Sequence, residues 1–203
     1  MARTVDIEAR DARKQAILDA AIRALARDGV AASTTRSLAA AAEVNQATLL
    51  YYFESKDALL AAALQELMRH TRELVLAAAS SALDLRIAIA ESLRAFWSYV
   101  EREPELEMMQ QELTLYALRS PDSAWLAREQ YAGYCAVVAA IFVEAFATAS
   151  QSCVVPFDAL ARFAIADLDG MILQFLSDRD VERARRDLDL LIAAVIALCD
   201  LSV

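Results

Sequence analysis

The sequence predicts an all-α protein with a small N-terminal three-helix helix-turn-helix head and a larger C-terminal helical bundle, about nine helices in all. Apolar residues make up 58% of the 203 positions, while Gly and Pro occur three times each. Ala and Leu dominate, and both favour helix where the usual breakers are scarce. Residues 34–59 also read as two short helices joined by a tight turn, with polar residues opening the second helix.

Capping residues and prolines mark where the helices begin. Thr34 or Thr35 can cap the second helix, and Ser55 can cap the long helix that follows the head. Pro104 and Pro121 each suit the first position of a later helix. On these signals and on the apolar spacing, we predict helices at about residues 7–28, 34–42, 45–53, 56–79, 85–102, 104–119, 121–150, 158–176 and 181–201.

The charge distribution separates the two parts of the chain. The formal net charge is −9, but residues 1–56 carry +1 and residues 57–203 carry −10. Phosphate contacts are local, so an acidic C-terminal part does not prevent the head from binding DNA.

Several classes of protein are disfavoured by the sequence. The charged N-terminus and the absence of a run of about 18 apolar residues predict no leader peptide and no membrane span, and so a cytoplasmic protein. One histidine and three widely spaced cysteines predict no metal site, no cofactor and no disulfide framework. The sequence contains no paired nucleophile and base and no Gly-rich phosphate loop, so it does not predict an enzyme.

Residues 34–59 resemble the tetracycline-repressor-like (TetR/AcrR) family of bacterial regulators. The match consists of Thr-Thr-Arg at 34–36, Val-Asn-Gln-Ala-Thr-Leu at 44–49 leading into Tyr-Tyr-Phe at 51–53, and Ser-Lys-Asp-Ala-Leu at 55–59. Residues 13–30 also look like the first helix of the family. Glu43 and Ala47 stand where glycine is frequent, and Leu50 stands where a phosphate-binding tyrosine is common. The resemblance is specific over residues 13–60 and architectural beyond them.

The resemblance implies a DNA-binding head over residues 1–55, with residues 45–53 as the recognition helix. Gln46 can hydrogen-bond adenine, Thr48 can contact thymine, and Arg36 can reach guanine or phosphate. The alternative for these positions is an exposed polar helix start, and Tyr52 is more often a core residue. The complete set of expected DNA-binding residues is Thr35, Arg36, Asn45, Gln46, Ala47, Thr48, Tyr51, Tyr52 and Lys56, of which Thr35, Tyr51 and Lys56 look like phosphate contacts.

Residues 56–203 are then expected to bind a ligand and to form a dimer. Small-molecule pockets are mostly apolar with a few polar anchors, and aromatic and methionine residues concentrate on three helices of this part. The candidate ligand-binding residues are Phe96, Met109, Glu112, Tyr116, Tyr131 and Tyr134. Gln111 is an alternative anchor, and ordinary bundle core is the alternative for each apolar residue. A buried, ionised Glu112 would favour a cationic or hydrogen-bond-donating ligand.

The last two predicted helices are apolar over a wide arc, so they need partners on more than one side. Together with the resemblance, this implies a homodimer through residues 158–176 and 181–201, with Val195 near the middle of the interface. The alternative is a fully internal core.

The predicted function is a DNA-binding transcriptional regulator. The expected mechanism is a homodimeric repressor that a small apolar or amphipathic ligand releases from a palindromic, double-stranded operator. The alternatives are a helical enzyme and a protein-binding scaffold without DNA function.

Overall fold

The computed structural model describes residues 2–79, 85–149 and 155–199, and all regular secondary structure in these ranges is α-helical. This confirms the predicted fold class. The described residues form nine helices: α1 (Ala2–Asp28), α2 (Thr35–Ala41), α3 (Gln46–Phe53), α4 (Lys56–Ala79), α5 (Leu85–Arg102), α6 (Pro104–Arg119), α7 (Ala124–Ala149), α8 (Phe157–Asp178) and α9 (Val181–Cys199).

Two predicted helix starts are wrong. Helix α1 begins at Ala2 rather than near residue 7, because no glycine or proline interrupts the charged segment before the apolar pattern starts. Helix α7 begins at Ala124. Pro121 lies in the preceding turn, which is closed by a hydrogen bond from the Ser123 amide to the Ser120 carbonyl. Pro104, by contrast, is the first residue of α6 as predicted.

The chain forms two compact units. The first comprises Met1–Leu67 and Glu105–Ala127, so α6 belongs to the same unit as the predicted head. Its largest fully buried side chains are Ile17, Leu25, Leu38, Leu49, Leu59, Leu64, Met109 and Glu107. The predicted functional boundary between residues 55 and 56 stays a prediction.

The second unit comprises Met68–Pro104 and Arg128–Val203. Trp97 of α5 and Phe175 of α8 pack edge to face in its core, with ring centroids 5.7 Å apart. Val195 of α9 is completely buried in the same chain. The placement of Val195 in a dimer interface is therefore wrong, because its side chain already packs inside the monomer.

The remaining sequence expectations concern membrane spans, cysteines and two segments at the limits of the described residues. No helix in the described ranges is long and apolar enough to cross a membrane. Cys135 is a free, half-buried thiol and Cys199 is buried, whereas Cys153 lies outside the described residues. The predicted loop at 150–157 falls mostly outside them as well, as do residues 200–201 of the last predicted helix.

Candidate nucleic-acid interface

Helix α2 is fixed at its N-terminus by a capping box. The Thr34 hydroxyl accepts a hydrogen bond from the Ser37 amide at 3.0 Å, and the Ser37 hydroxyl accepts one from the Thr34 amide at 2.8 Å. Such reciprocal caps satisfy two backbone donors that helix formation leaves free. Arg36 in the first turn is exposed, and Thr35 is half-buried. The capping role predicted for Thr34 is confirmed.

The turn between α2 and α3 is a Schellman motif. The Val44 amide donates to the Ala39 carbonyl at 3.0 Å, and the Glu43 amide donates to the Ala40 carbonyl at 3.1 Å. This pattern requires a left-handed residue just past the helix, and Glu43 has φ of 53°. Glutamate thus occupies the conformation for which glycine is the usual residue.

Helix α3 presents its first turn to solvent while its later residues enter the core. The Asn45 side-chain oxygen caps the helix by accepting from the Thr48 amide at 2.7 Å. Gln46 and Ala47 are exposed and Thr48 is half-buried. Leu49 is completely buried. The structure therefore places Gln46 and Thr48 at one anchored helix start that faces solvent.

The aromatic residues of α3 have separate environments. Phe53 is buried, Tyr52 is half-buried and Tyr51 is 66% exposed. Since Tyr51 is more exposed than Tyr52, it is the better placed of the two tyrosines for a phosphate contact.

Lys56 lies against the loop between α1 and α2. Its ammonium group donates to the Ser33 carbonyl, and the Val30 carbonyl is a second acceptor at 3.5 Å. An ammonium has three donors, so one remains for a phosphate. Ser55 caps the start of this helix, because its hydroxyl accepts from the Ala58 amide at 3.0 Å.

The same loop is held from α6. The Glu112 carboxylate accepts a hydrogen bond from the Val30 amide at 2.6 Å. Gly29, with φ of 82°, ends α1 and turns the chain toward this carboxylate. Sequence reasoning treated Glu112 only as a ligand anchor and missed this contact, since nothing local in the sequence signals a pairing across 82 residues.

A second polar contact joins α6 to the start of α4. The Tyr116 hydroxyl donates to the Asp57 carboxylate at 2.6 Å. This hydrogen bond, with burial adding to it, raises the pKa of Tyr116 above its ordinary value. The cavity beside this pair has a volume of about 10 Å³, which holds one water at most.

The candidate ligand-binding residues are divided between the two units. Met109, Glu112 and Tyr116 lie in the first unit, and Phe96, Tyr131 and Tyr134 lie in the second. Met109 and Phe96 are buried, and the other four are half-buried.

The second unit contains a polar pair that sequence reasoning missed. The Tyr131 hydroxyl hydrogen-bonds the Asp169 carboxyl group, and burial followed by the charge of Asp169 raises the pKa of Tyr131 to about 12. Burial also raises the pKa of Asp169, partly offset by the hydrogen bond from Tyr131. The available signal was an aspartate inside the apolar stretch of α8, beside Leu168 and Met171.

Two short helices around a tight turn, with polar side chains exposed at the start of the second, define a helix-turn-helix DNA-binding protein. Residues 17–63, which run from within α1 into α4, match the family model for bacterial regulatory proteins of the tetR family. Over these residues the chain matches the DNA-binding region of that family, and together with the similar proteins described next this identifies a DNA-binding transcriptional regulator.

Similar proteins align with this chain over nearly its whole length. The HTH-type nicotine-responsive transcriptional repressor HdnoR of Paenarthrobacter nicotinovorans is 28% identical over 184 residues, which are 91% of this chain and 94% of that protein. The multidrug binding protein EbrR in complex with malachite green is 28% identical, with a TM-score of 0.66 over 92% of this chain and 98% of that one. A candidate transcriptional regulator of Pseudomonas aeruginosa PAO1 has the same fold, with a TM-score of 0.77 at 20% identity over 93% and 91% of the two chains.

Proposed function

We propose that the protein is a homodimeric repressor that leaves a palindromic operator when it binds an amphipathic organic cation. The observation that carries the DNA-binding part is the start of α3, where Gln46 is exposed on a helix anchored by its Asn45 cap. A side-chain amide at this position can bond both N6 and N7 of adenine in the major groove. Thr48 and Arg36 complete the proposed base-reading set, with Thr35, Ala47, Tyr51, Tyr52 and Lys56 along the backbone.

The dimer is proposed from apolar side chains that the monomer leaves uncovered. Helices α8 and α9 expose Phe163, Leu173 and Leu190, the last to 70%. A twofold pairing through α8 and α9 would cover these side chains. It would also provide two recognition helices, which bind half-sites about 34–36 Å apart when they enter successive major grooves.

The ligand class is proposed from the second unit. Phe96, Tyr131 and Tyr134 supply aromatic surface, and Asp169 supplies a largely buried carboxyl group whose pKa is raised by that burial. A carboxylate in such a place favours a positively charged partner. The names of two relatives agree with this chemistry, because nicotine is a basic amine that carries an aromatic ring and malachite green is an aromatic cation.

Regulation follows from linkage. If the cation binds the DNA-free conformation better than the DNA-bound one, ligand and operator weaken each other by the same factor. A coupling of about 1–3 kcal/mol would change operator affinity by roughly 5- to 150-fold.

The test combines operator binding with two matched probes. Binding-site selection should yield a palindromic duplex whose affinity falls steeply with salt. Tetraphenylphosphonium, a permanent lipophilic cation, should release this duplex, whereas triphenylphosphine oxide, which is neutral and similar in shape, should not. Absence of salt-sensitive duplex binding would support the alternatives of a helical enzyme or a protein-binding scaffold.

A further inference from the structure

Tyr51, the exposed tyrosine of the proposed recognition helix, lies beneath an arginine of α1. The guanidinium carbon of Arg10 is 5.6 Å from the centroid of the Tyr51 ring, which is within cation–π range. Tyr52 packs edge-on against the same ring, with centroids 5.2 Å apart and an interplanar angle of 82°. The ring is therefore held by two neighbours even though 66% of Tyr51 is exposed.

We propose that Arg10 and Tyr51 form a phosphate clamp, in which α1 adds a DNA contact beside the recognition helix. A guanidinium stacked on an aromatic face keeps its N–H donors in its own plane, where they can bind a phosphate through two parallel hydrogen bonds. Among the described side chains, which begin at Ile7 in this helix, Arg10 makes no ion pair, and its ring contact is with Tyr51. The guanidinium lies over the Tyr51 ring, and from there its N–H donors can reach a phosphate.

A second cation extends this face of α1. Lys14 lies one helical turn beyond Arg10, and its ammonium group is 5.4 Å from the centroid of the Phe53 ring. Side chains four residues apart share one face of a helix, so Arg10 and Lys14 both lie along the C-terminal half of α3. This places two positive charges beside the proposed recognition helix in a chain whose net charge is −9.

The position suits a phosphate rather than a base. Backbone phosphates border the major groove, and contacts to them fix the register of a protein on the duplex without reading sequence. With the start of α3 in the groove, a cation beside the end of α3 lies near the border. The inference thus depends on the proposed role of α3 as the recognition helix.

The clamp can be tested through the salt dependence of DNA binding. We expect Arg10→Gln to weaken binding about tenfold, as for the loss of a charge-assisted hydrogen bond. The loss should be equal for a selected operator and for a random-sequence duplex. The slope of log affinity against log salt should decrease by about 0.9, the value for one phosphate. Arg10→Lys keeps the charge without the planar fork and should lose less.

The matched control is Arg23→Gln, which removes an exposed arginine from the same helix about 20 Å away at 1.5 Å per residue. It should change neither affinity nor slope, and circular dichroism should show equal helicity for all variants. An Arg10→Gln protein that behaves like Arg23→Gln, in a wild-type background that does bind DNA, would overturn the clamp alone. A wild-type protein that binds no duplex would overturn the clamp together with the proposed function.

A double-mutant cycle separates the clamp from an independent arginine contact. Tyr51→Ala removes the ring, so Arg10→Gln should then cost clearly less than tenfold. Tyr51→Phe keeps the ring and should preserve most of the effect of Arg10→Gln. Equal costs of Arg10→Gln in the wild-type and Tyr51→Ala backgrounds would show that Arg10 does not act through the ring, and the clamp would be rejected.

Discussion

Glu112 of α6 and Val30 of the loop after α1 are joined by a hydrogen bond of 2.6 Å from the Val30 amide to the carboxylate. The Lys56 ammonium group donates hydrogen bonds to carbonyl oxygens of the same loop, whereas Glu112 accepts one from that loop. Since this loop leads directly into α2, the two side chains together hold the segment that precedes the helix-turn-helix.

Removing the Glu112 carboxylate should loosen the head. Glu112→Ala leaves the Val30 amide without its partner, and we expect it to lower the free energy of unfolding by about 1–3 kcal/mol. Glu112→Gln retains a neutral acceptor and should lose roughly half as much. Urea denaturation measures both, with Gln111→Ala as a control on the same helix. If Glu112→Ala and Gln111→Ala were equally stable, the hydrogen bond would contribute nothing to the head.

The Schellman turn provides a test of backbone strain. Glu43 has φ of 53°, a conformation that costs a non-glycine residue about 1–2 kcal/mol. Glycine avoids this cost but loses more conformational entropy on folding. The net stabilisation of the protein by Glu43→Gly should therefore be only roughly 0.5–1 kcal/mol. Glu43→Ala removes the same charge but keeps the strain, and should leave the unfolding free energy nearly unchanged. Equal melting temperatures for the two variants would contradict the role of strain.

Base reading by Gln46 predicts a loss that depends on sequence. Gln46→Ala should weaken binding to the selected operator by about 1–3 kcal/mol and relax the preference at one base pair in each half-site. Its affinity for random duplex should be unchanged. A repeated binding-site selection with the variant measures the preference. Recovery of the wild-type base preferences would exclude Gln46 as a base reader.

The dimer prediction now has a better probe than Val195. Leu190 is 70% exposed on α9, so Leu190→Glu should fold normally but dissociate a dimer that buries this side chain. Ile87→Glu, at an exposed apolar residue of α5, is the control and should leave the dimer intact. Light scattering distinguishes the two states. Val195→Asp should unfold the monomer instead, because Val195 is fully buried and an unpaired buried charge is costly.

The parts of the structure that sequence predicted are those determined by local chemistry. The Thr34 cap, the Ser55 cap and the first residue of α6 each follow from one or two neighbouring side chains. Val195 could not be assigned correctly, since apolar residues on a broad helix face give the same pattern whether a neighbouring helix or a second copy covers them.

In the candidate site, too, local features were predictable from the sequence and contacts between distant segments were not. Exposure at Gln46 follows from a capped helix start and was predictable. The hydrogen bonds of Glu112 with Val30 and of Tyr131 with Asp169 join distant segments of the chain. Helical periodicity records which face a residue occupies and contains no information about its partner on another helix.

Asp169 predicts a pH dependence for cation binding. Burial raises the pKa of this carboxyl group, so the proton is held to a higher pH than in an ordinary aspartate, whose pKa is about 3.9. A bound cation favours the ionised form and lowers that pKa, and binding therefore releases a proton. Affinity for a permanent cation should consequently rise with pH through the acidic range and level off above the raised pKa of Asp169.

The measurement is the affinity for tetraphenylphosphonium, followed by tryptophan fluorescence across this pH range. Asp169→Asn should bind the cation weakly and show no pH dependence, because the amide neither ionises nor attracts the charge. Tyr131 has a pKa of about 12 and stays protonated throughout, so Tyr131→Phe should retain the pH dependence. The affinity for neutral triphenylphosphine oxide should likewise not change with pH. A wild-type affinity for the cation that does not change with pH would place the ligand charge away from Asp169 and remove the basis for a cationic ligand.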